Sequence, residues 1–372
     1  MKRSLAWSAA AIGMLGFFLL LWRGPWWFDG SHLRDRALEP ADGVVITGFR
    51  TMMVAMGAGV VAGVGLYYTH QTLRHTREKD ARDVELTREG QLTDRYVEAI
   101  KLLGSDNPTQ RIGGIYALER IMRDSERDHA AIVEVLAAYI RNPPSGAKPD
   151  QLDANEKEPC NIDLEQHIQA ALTVLCRRPR RPETFRINLA RANLRGADLT
   201  NARLDGADLS GAQLQEANLD FAQLKKANLS DAQLTKARMD NAQMQGADLN
   251  GAQLHAAQLF ATHLEGAELD NIQLRGAYLD GARLDKASLL HAFLEGASLY
   301  EARLRGAELD GARLNGADLG NANLDGATLS DADLSSARGL QVDQLASAEL
   351  SASTLLPRRL AEDPRIKGKV SG

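Results

Sequence analysis

The sequence predicts a mainly β architecture, a solenoid of short extended segments and tight corners, preceded by two transmembrane helices and a small α-helical domain. Three observations carry that expectation. Between Ile187 and Leu334, leucine falls on every fifth residue, thirty positions in a row, with only Met239 and Met244 differing in type. Alanine stands two residues before nearly every one, Thr262 and Ile272 being the exceptions between Ala192 and Ala332. Ahead of the repeat lie two long apolar runs, followed by segments with helical spacing.

The first apolar run, Ser4 to Trp22, is nineteen uncharged residues after Lys2-Arg3, long enough to cross a bilayer. Trp22, Trp26, Trp27 and Phe28 form its interfacial belt. The length of the run, and the lack of a small-x-small site in Arg23-Gly24-Pro25-Trp26, favour a retained helix over a cleaved signal peptide. Residues 1–43 hold this helix and a short outer loop; residues 44–68 hold a second span. Thr51 to Tyr68 of that span is uncharged, and Arg50 reaches for the interface. Gly57 to Ala62 matches the dinucleotide pattern G-x-G-x-x-A, with Asp80 about twenty residues on. No strand–helix–strand unit surrounds it. Gly59-x-x-x-Gly63, extended back to Ala55, instead suits close packing on the first span, where Ala9 and Gly13 are also four apart. Lys2 and Arg3 precede the first span, and Arg74, Arg77, Lys79, Arg82 and Arg88 follow the second, whereas the connecting loop carries Arg23, Arg34 and Arg36 among acids. The positive-inside rule then predicts a multi-pass protein of the inner (cytoplasmic) membrane with both termini cytoplasmic.

Residues 69–141 read as a cytoplasmic α-helical domain. Leu73, Val84, Leu92, Tyr96, Ile100 and Leu103 mark an intermittent apolar face from Thr69 to Leu103. Asn107 is a good N-cap with Pro108 at the first helical position. Ile112, Ile115, Leu118, Ile121 and Met122 follow at helical spacing. Asp128 is the candidate cap of a helix over His129–Ile140 that ends before Pro143-Pro144. The segment Gly104 to Arg111 with Ala117 to Ile121 is similar to a HEAT-type helical repeat. Residues 142–161 are rich in Pro, Asp and Glu and read as a linker. Residues 162–182 supply a capping helix, Ile162 to Arg178, stopped by Pro179, and a basic junction. There Arg177, Arg178, Arg180 and Arg181 admit two readings, contact with anionic lipid or phosphate, or a solvated collar.

The repeat follows over residues 183–338. A period of five gives a helix no continuous face and sends successive leucines of a flat strand to opposite sides. Within each unit, however, Ala and Leu are two apart, the same-face spacing of a short extended segment. Ala192, Ala197 and Ala202 with Leu194, Leu199, Leu204, Leu209 and Leu214 are therefore expected to point inward and form the core. Two residues after Leu stand Gly196, Gly206, Asn201, Asp231 and their equivalents, residue types that suit tight corners. Units such as Ala197-Asp198-Leu199-Thr200-Asn201 and Ala317-Asp318-Leu319-Gly320-Asn321 closely resemble those of the pentapeptide-repeat family. The resemblance implies a right-handed quadrilateral β-helix with twenty residues per coil, a rod of roughly 36 Å at ~4.8 Å per coil. Gln213, Gln233, Gln253 and Gln273 would then share a column and stack as an amide ladder. Leu86 to Gln91, Arg111 to Arg120 and Ile168 to Leu175 resemble the N-terminal part of membrane-anchored bacterial members, especially actinobacterial ones. Residues 339–372 form a C-terminal cap and tail, with a short helix over Gln341–Leu350. The fold often dimerises end to end. The stretch Leu329 to Leu350 is the one hint of a homodimer here, and it reads equally as a cap.

Nothing in the sequence assembles a catalytic constellation. Cys160 and Cys176 have no metal-ligand spacing, and the repeat contains no cysteine. His255, His263 and His291 occupy three different places in their units. A core filled by Leu and Ala leaves no room for a ligand, so neither cofactor, metal nor enzyme activity is expected. The expected function is a membrane-tethered scaffold or protein-interaction module with an unidentified protein partner. Phe221, Phe260, Tyr278, Phe293 and Tyr300 lie off the inward positions, and Tyr278, Phe293 and Tyr300 fall within about one coil as a candidate patch. The alternative follows from the family: its quinolone-resistance members bind gyrase through an acidic, DNA-mimicking rod. Arg186 to Arg338 holds 21 acidic and 15 basic residues, a net of −6. That is thin for a DNA mimic, and direct nucleic-acid binding is not expected.

Overall fold

A computed structural model describes residues 2–28, 40–144, 164–183 and 185–370. Cys160, Arg34, Arg36 and most of the 142–161 linker lie outside the described residues. The chain forms two compact units, Met1–Gly90 and Gln91–Gly372.

In the first unit, α1 spans Lys2–Phe28, and α2 starts at Pro40 and runs on to Leu103 in the second. Both contain stretches long and apolar enough to cross a membrane, Ser8–Phe28 and Gly43–Asp80. The 38-residue stretch in α2 is 0% buried, so no protein core accounts for its apolar side chains. The two helices meet where aromatic rings enter glycine notches. A Cβ placed on Gly57 would lie 2.7 Å from the Phe17 ring, and one on Gly24 would strike Phe49. Phe28 and Phe49 stack with centroids 5.9 Å apart. The expected contact is different: Gly13, Gly59 and Gly63 have no neighbour within 4 Å where a Cβ would stand. A phenylalanine fills a gap that two small-residue stripes would have to close by bringing the backbones together. The G-x-G-x-x-A match lies wholly inside α2, without the strand a dinucleotide site needs.

In the second unit α3 (Pro108–Asp124) starts as expected, Asn107 accepting from the Thr109 N–H at 2.9 Å. The cap assigned to Asp128 is not made before α4 (His129–Arg141). Asp128 is already in helical geometry, and its own N–H donates to Ser125 Oγ. α5 covers Gln166–Cys176, shorter than the expected 162–178. Ile115, Leu118, Met122, Ile132, Leu136, Ile140, Leu172 and Leu175 are fully buried among α3, α4 and α5.

Residues 188–338 coil with a register of twenty. Asn193 bridges Gln213, Gln213 bridges Gln233, and every neighbouring column repeats the step in parallel. Four units therefore complete one turn, which selects four sides. Hydrogen bonds to the neighbouring coils and across the corner satisfy four of the five N–H groups of a typical unit. In the unit of Leu214, Gln213 N–H donates back to Ala192 O, Leu214 N–H forward to Gln233 O, Glu216 N–H to Thr235 O, and Ala217 N–H to Leu214 O across the corner. The N–H after Leu is often capped by a side chain, as Thr200 is by Asp198. One bridged pair per wall is too short to count as a strand. The corner takes most of each unit and leaves a single residue in ladder geometry. Ala192, Ala197, Ala202, Leu194, Leu199, Leu204, Leu209 and Leu214 are all 0–1% exposed. The glutamines do share a column, but they form no ladder: Gln233 accepts from Gln215 at 2.5 Å, and Gln273 donates to Asn271 O.

Both ends of the coil are closed. At the first coil, Gln169 of α5 donates to Asp198 O at 2.8 Å and accepts from its N–H at 3.0 Å, and Arg178 donates to Arg203 O. These side chains supply the bonds a preceding coil would make. At the far end the register loosens: Thr328 bridges Glu349, and Asp333 bridges Leu355. α6 is only Val342–Ala346, shorter than expected, and α7 (Arg358–Ala361) and α8 (Pro364–Val370) complete the cap over Leu340, Leu345, Leu360 and Ile366. Gln344 donates to the Leu319 and Ala322 carbonyls. Leu329–Leu350 thus closes the coil irregularly.

Candidate functional site

The register sorts the repeat into four walls, A to D, carrying Leu194, Leu199, Leu204 and Leu209 respectively. Each wall keeps its own column through every coil. The interior is packed with buried Leu and Ala, so any recognition happens on the outside.

The net charge of the rod is an average over unequal walls. Wall D carries Asp208, Asp231, Asp248, Glu268, Asp270, Glu308, Asp310 and Asp331 against Arg191 alone. Wall C carries Arg203, Lys225, Lys226, Arg283, Lys286, Arg303 and Arg305 against four acids, with Arg303 paired to Asp285 at 3.1 Å. Wall A is nearly balanced. Wall B holds Asp198, Asp220, Asp240, Asp280, Glu301 and Asp318, and its Arg238 is engaged by Asp220 at 2.6 Å.

Wall B also holds every strongly exposed aromatic of the coil. Phe221, Phe260, Tyr278 and Tyr300 are 52%, 56%, 55% and 43% exposed. Tyr300 lies over Gly320, where a Cβ would touch its ring, and its hydroxyl accepts from Asn321 Nδ2 at 3.0 Å. Tyr278 and Tyr300 of the expected patch are therefore brought together on one wall. Phe293 is not among them. It sits on wall A between the guanidiniums of Arg275 and Arg313, 5.2 and 4.8 Å from its centroid, and is half-buried. Phe260 takes its place. The signal was present in the sequence: units twenty apart share a wall, which groups Phe221, Phe260, Tyr278 and Tyr300 and separates Phe293.

The basic junction is mostly occupied from within. Arg178 is buried, with a two-pronged pair to Glu183 at 2.7 Å. Arg177 pairs with Glu119 at 2.7 Å beside the Tyr116 ring. Arg181 donates to the Ser125 and Arg123 carbonyls. Of the four arginines, Arg180 is exposed and has no hydrogen-bond or ion-pair partner among the described residues. Burial raises the Glu183 carboxyl, but hydrogen bonds from Arg178 and His129 outweigh it and hold the group below the usual carboxylate range. His167 is buried and held below the ordinary histidine value, chiefly by desolvation. Arg111 and Glu165 both approach its Nε2, at 3.3 and 3.2 Å. Arg111 can only donate, so the neutral ring accepts there.

His255, His263 and His291 fall on walls A, C and D and are not brought together. Burial pushes the Cys176 thiol up to about 12, which makes it a poor nucleophile. Among the described residues no three His, Cys, Asp or Glu converge on a metal-sized site.

The pentapeptide-repeat family model matches in eight copies that together run over residues 192–338. No match to a curated protein is found. Among solved structures, the chain is similar to HetL, a pentapeptide repeat protein involved in heterocyst differentiation regulation from the cyanobacterium Nostoc sp. strain PCC 7120. The identity is 36%, over 44% of this chain and 78% of that one, with a TM-score of 0.25. It is also similar to trypsin-treated QnrB1, a plasmid-mediated fluoroquinolone resistance protein, at 21% identity over 46% and 85% of the two chains and a TM-score of 0.29. A third is a pentapeptide repeat protein of the Arabidopsis thaliana thylakoid lumen, at 25% identity over 41% and 77% with a TM-score of 0.17. The assignment rests on the family model and on the register of the coil. Proteins of this kind are in general structural or interaction proteins. The C-terminal part of this chain is a β-helix of the pentapeptide-repeat family.

Proposed function

We propose that the chain is a non-enzymatic scaffold of the membrane-anchored, actinobacterial-type subgroup, tethered to the inner membrane by α1 and α2. In this reading it presents the coil in the cytoplasm as a rigid protein-interaction surface. The observation that carries it is wall B, where four exposed aromatics stand among carboxylates on a regular, hydrogen-bonded coil. Exposed aromatic rings on a stiff support bind at little entropic cost, which is why they concentrate at interfaces. Proximity labelling from a fusion after Gly372, with an anchor lacking the coil as control, supplies the partner. Replacement of Phe260, Tyr278 and Tyr300 by Ser then removes that partner from the labelled set. An unchanged set rejects wall B as the surface, and labelling of extracytoplasmic proteins alone rejects the topology.

Wall D favours a second reading, a DNA-mimicking regulator of gyrase or topoisomerase. Eight carboxylates against one arginine make an acidic strip that the net charge hides. Inhibition of gyrase supercoiling by the full chain, abolished by Asn and Gln replacements along wall D, selects this reading. Absence of inhibition at saturating protein excludes it.

A further inference from the structure

A groove of about 660 Å³ runs between α1 and α2, and its lining is apolar except at one point. Leu15, Phe18, Leu19, Trp22 and Val54 line it together with Arg50. Among the described residues no carboxylate pairs with Arg50. Two boundaries coincide in this groove. Trp22 ends the uncharged run of the first helix, and Arg50 immediately precedes that of the second. Tryptophan and arginine at the ends of apolar runs settle at headgroup depth. From Trp22 the lining descends to Leu15, seven residues along the helix or roughly 10 Å into the acyl region. The groove is thus charged at its headgroup end and hydrocarbon below. A guanidinium fork matches a phosphodiester in shape and charge and is weakly hydrated.

We propose that this groove holds one anionic phospholipid, its phosphate on Arg50 and one acyl chain along Leu15, Phe18, Leu19 and Val54. The proposal rests on the membrane-tethered reading and adds to it a lipid preference. The selectivity comes from Arg50 and the adhesion from the apolar lining. Zwitterionic lipid fits the lining equally but brings its own cation to the headgroup.

Native mass spectrometry of the full chain, released from detergent after incubation with phosphatidylglycerol or phosphatidylcholine, tests this. The expected result is a single retained phosphatidylglycerol, with about tenfold weaker retention of phosphatidylcholine, as suits one charge-assisted contact. R50Q, which keeps the length of the side chain, brings phosphatidylglycerol down to the phosphatidylcholine level. V54W fills the groove and removes both. R23Q, outside the lining, leaves retention unchanged. Equal retention of the two lipids by the wild type, or unchanged retention by R50Q, overturns the proposal. So does a dimer that excludes lipid, since a second copy then occupies the groove. Carbonate washing of membranes reports on the tether separately. A chain lost from washed membranes sinks the tethered reading, and a retained chain without lipid selectivity sinks only this one.

Discussion

The corner two residues after each Leu offers a test of the coil in which the usual sign of a mutation is reversed. From Arg191 to Asp331 all these corners have positive φ, between 51° and 75°, and sixteen are occupied by residues other than glycine. An L-residue in this region costs about 1–2 kcal/mol. Glycine avoids that cost but loses roughly 0.5–1 kcal/mol more backbone entropy on ordering. Ala256 has φ 54° and is exposed, so its methyl group contributes no core packing. Ala256→Gly is therefore expected to stabilise the coil by about 0.5–1 kcal/mol. Gly196, at φ 66° with no atom within 4 Å of a prospective Cβ, isolates the same backbone effect. Gly196→Ala should destabilise by a similar amount. Gly311→Ala should cost more, because its Cβ would also strike the His291 ring. Urea unfolding of the full chain in detergent, followed by circular dichroism, gives the sign. Because repeat arrays open locally, hydrogen exchange at the Ala256 amide, bonded to Arg275 O, gives the local value. A lowered midpoint and faster exchange in Ala256→Gly would refute the assignment of that corner to the left-handed region.

Four other outcomes follow from the same geometry. Adjacent glycines of α3 should respond in opposite directions: Gly114→Ala destabilises by about 2 kcal/mol, since its Cβ would lie 2.8 Å from Ala99 O, while the open, exposed Gly113→Ala stabilises by about 0.5–1 kcal/mol; thermal melts of the two variants decide. Glu183→Gln leaves buried Arg178 without its counter-ion and should cost about 3 kcal/mol, read as faster exchange at the amides of the first coil; because the folded pKa of Glu183 is depressed, the wild-type contribution is full above about pH 4.3 and is lost only as pH falls through the lower folded value. The depressed folded pKa of His167 gives stability present above about pH 6.5 and lost as pH falls through the folded value, so melts between pH 7.5 and 5 should decline in the wild type and flatten in His167→Gln. Phe221→Asn, at a corner with φ 59°, should raise stability by about 1 kcal/mol while weakening partner labelling, and loss of stability in that variant would contradict the corner assignment.

How much was legible in the sequence divides along a physical line. The period of five, with Ala two before Leu, left each side chain one available direction, so the core from Ala192 onward could be read directly. Asn107 before Pro108 fixed the start of α3 because both residues act locally. Asp128 failed as a cap because its own backbone is already helical and its N–H is taken by Ser125 Oγ, a local geometry that composition does not report. Gly57 and Gly24 receive phenylalanines from another helix, and nothing within either helix announces that partner. The junction arginines were misleading for the same reason. Their charge is visible in sequence, but Glu119 and Glu183, which neutralise Arg177 and Arg178, come together only through packing. The patch was half legible: columns of twenty place Tyr278 with Tyr300, whereas the Arg275–Phe293–Arg313 stack needs coordinates.

Phe221 bears on what wall B is for. A corner with positive φ is least costly for glycine or asparagine, the residues used at Gly211 and Asn241. At Phe221 the fold instead holds a bulky aromatic there, half exposed, with about 1–2 kcal/mol of backbone cost and little packing to offset it. The other aromatics of the wall avoid that cost: Tyr278 stands in the bridged column, and Phe260 and Tyr300 stand one residue after Leu. Lysines at equivalent corners, such as Lys226 and Lys236, are exposed and carry a charged head into water, which a phenyl ring does not. On the scaffold reading proposed above, contact with a partner offsets the loss of local backbone preference at this residue. Its position on the wall that carries the three other exposed aromatics, and not on the equally available corners of walls A, C or D, ties the cost to one surface.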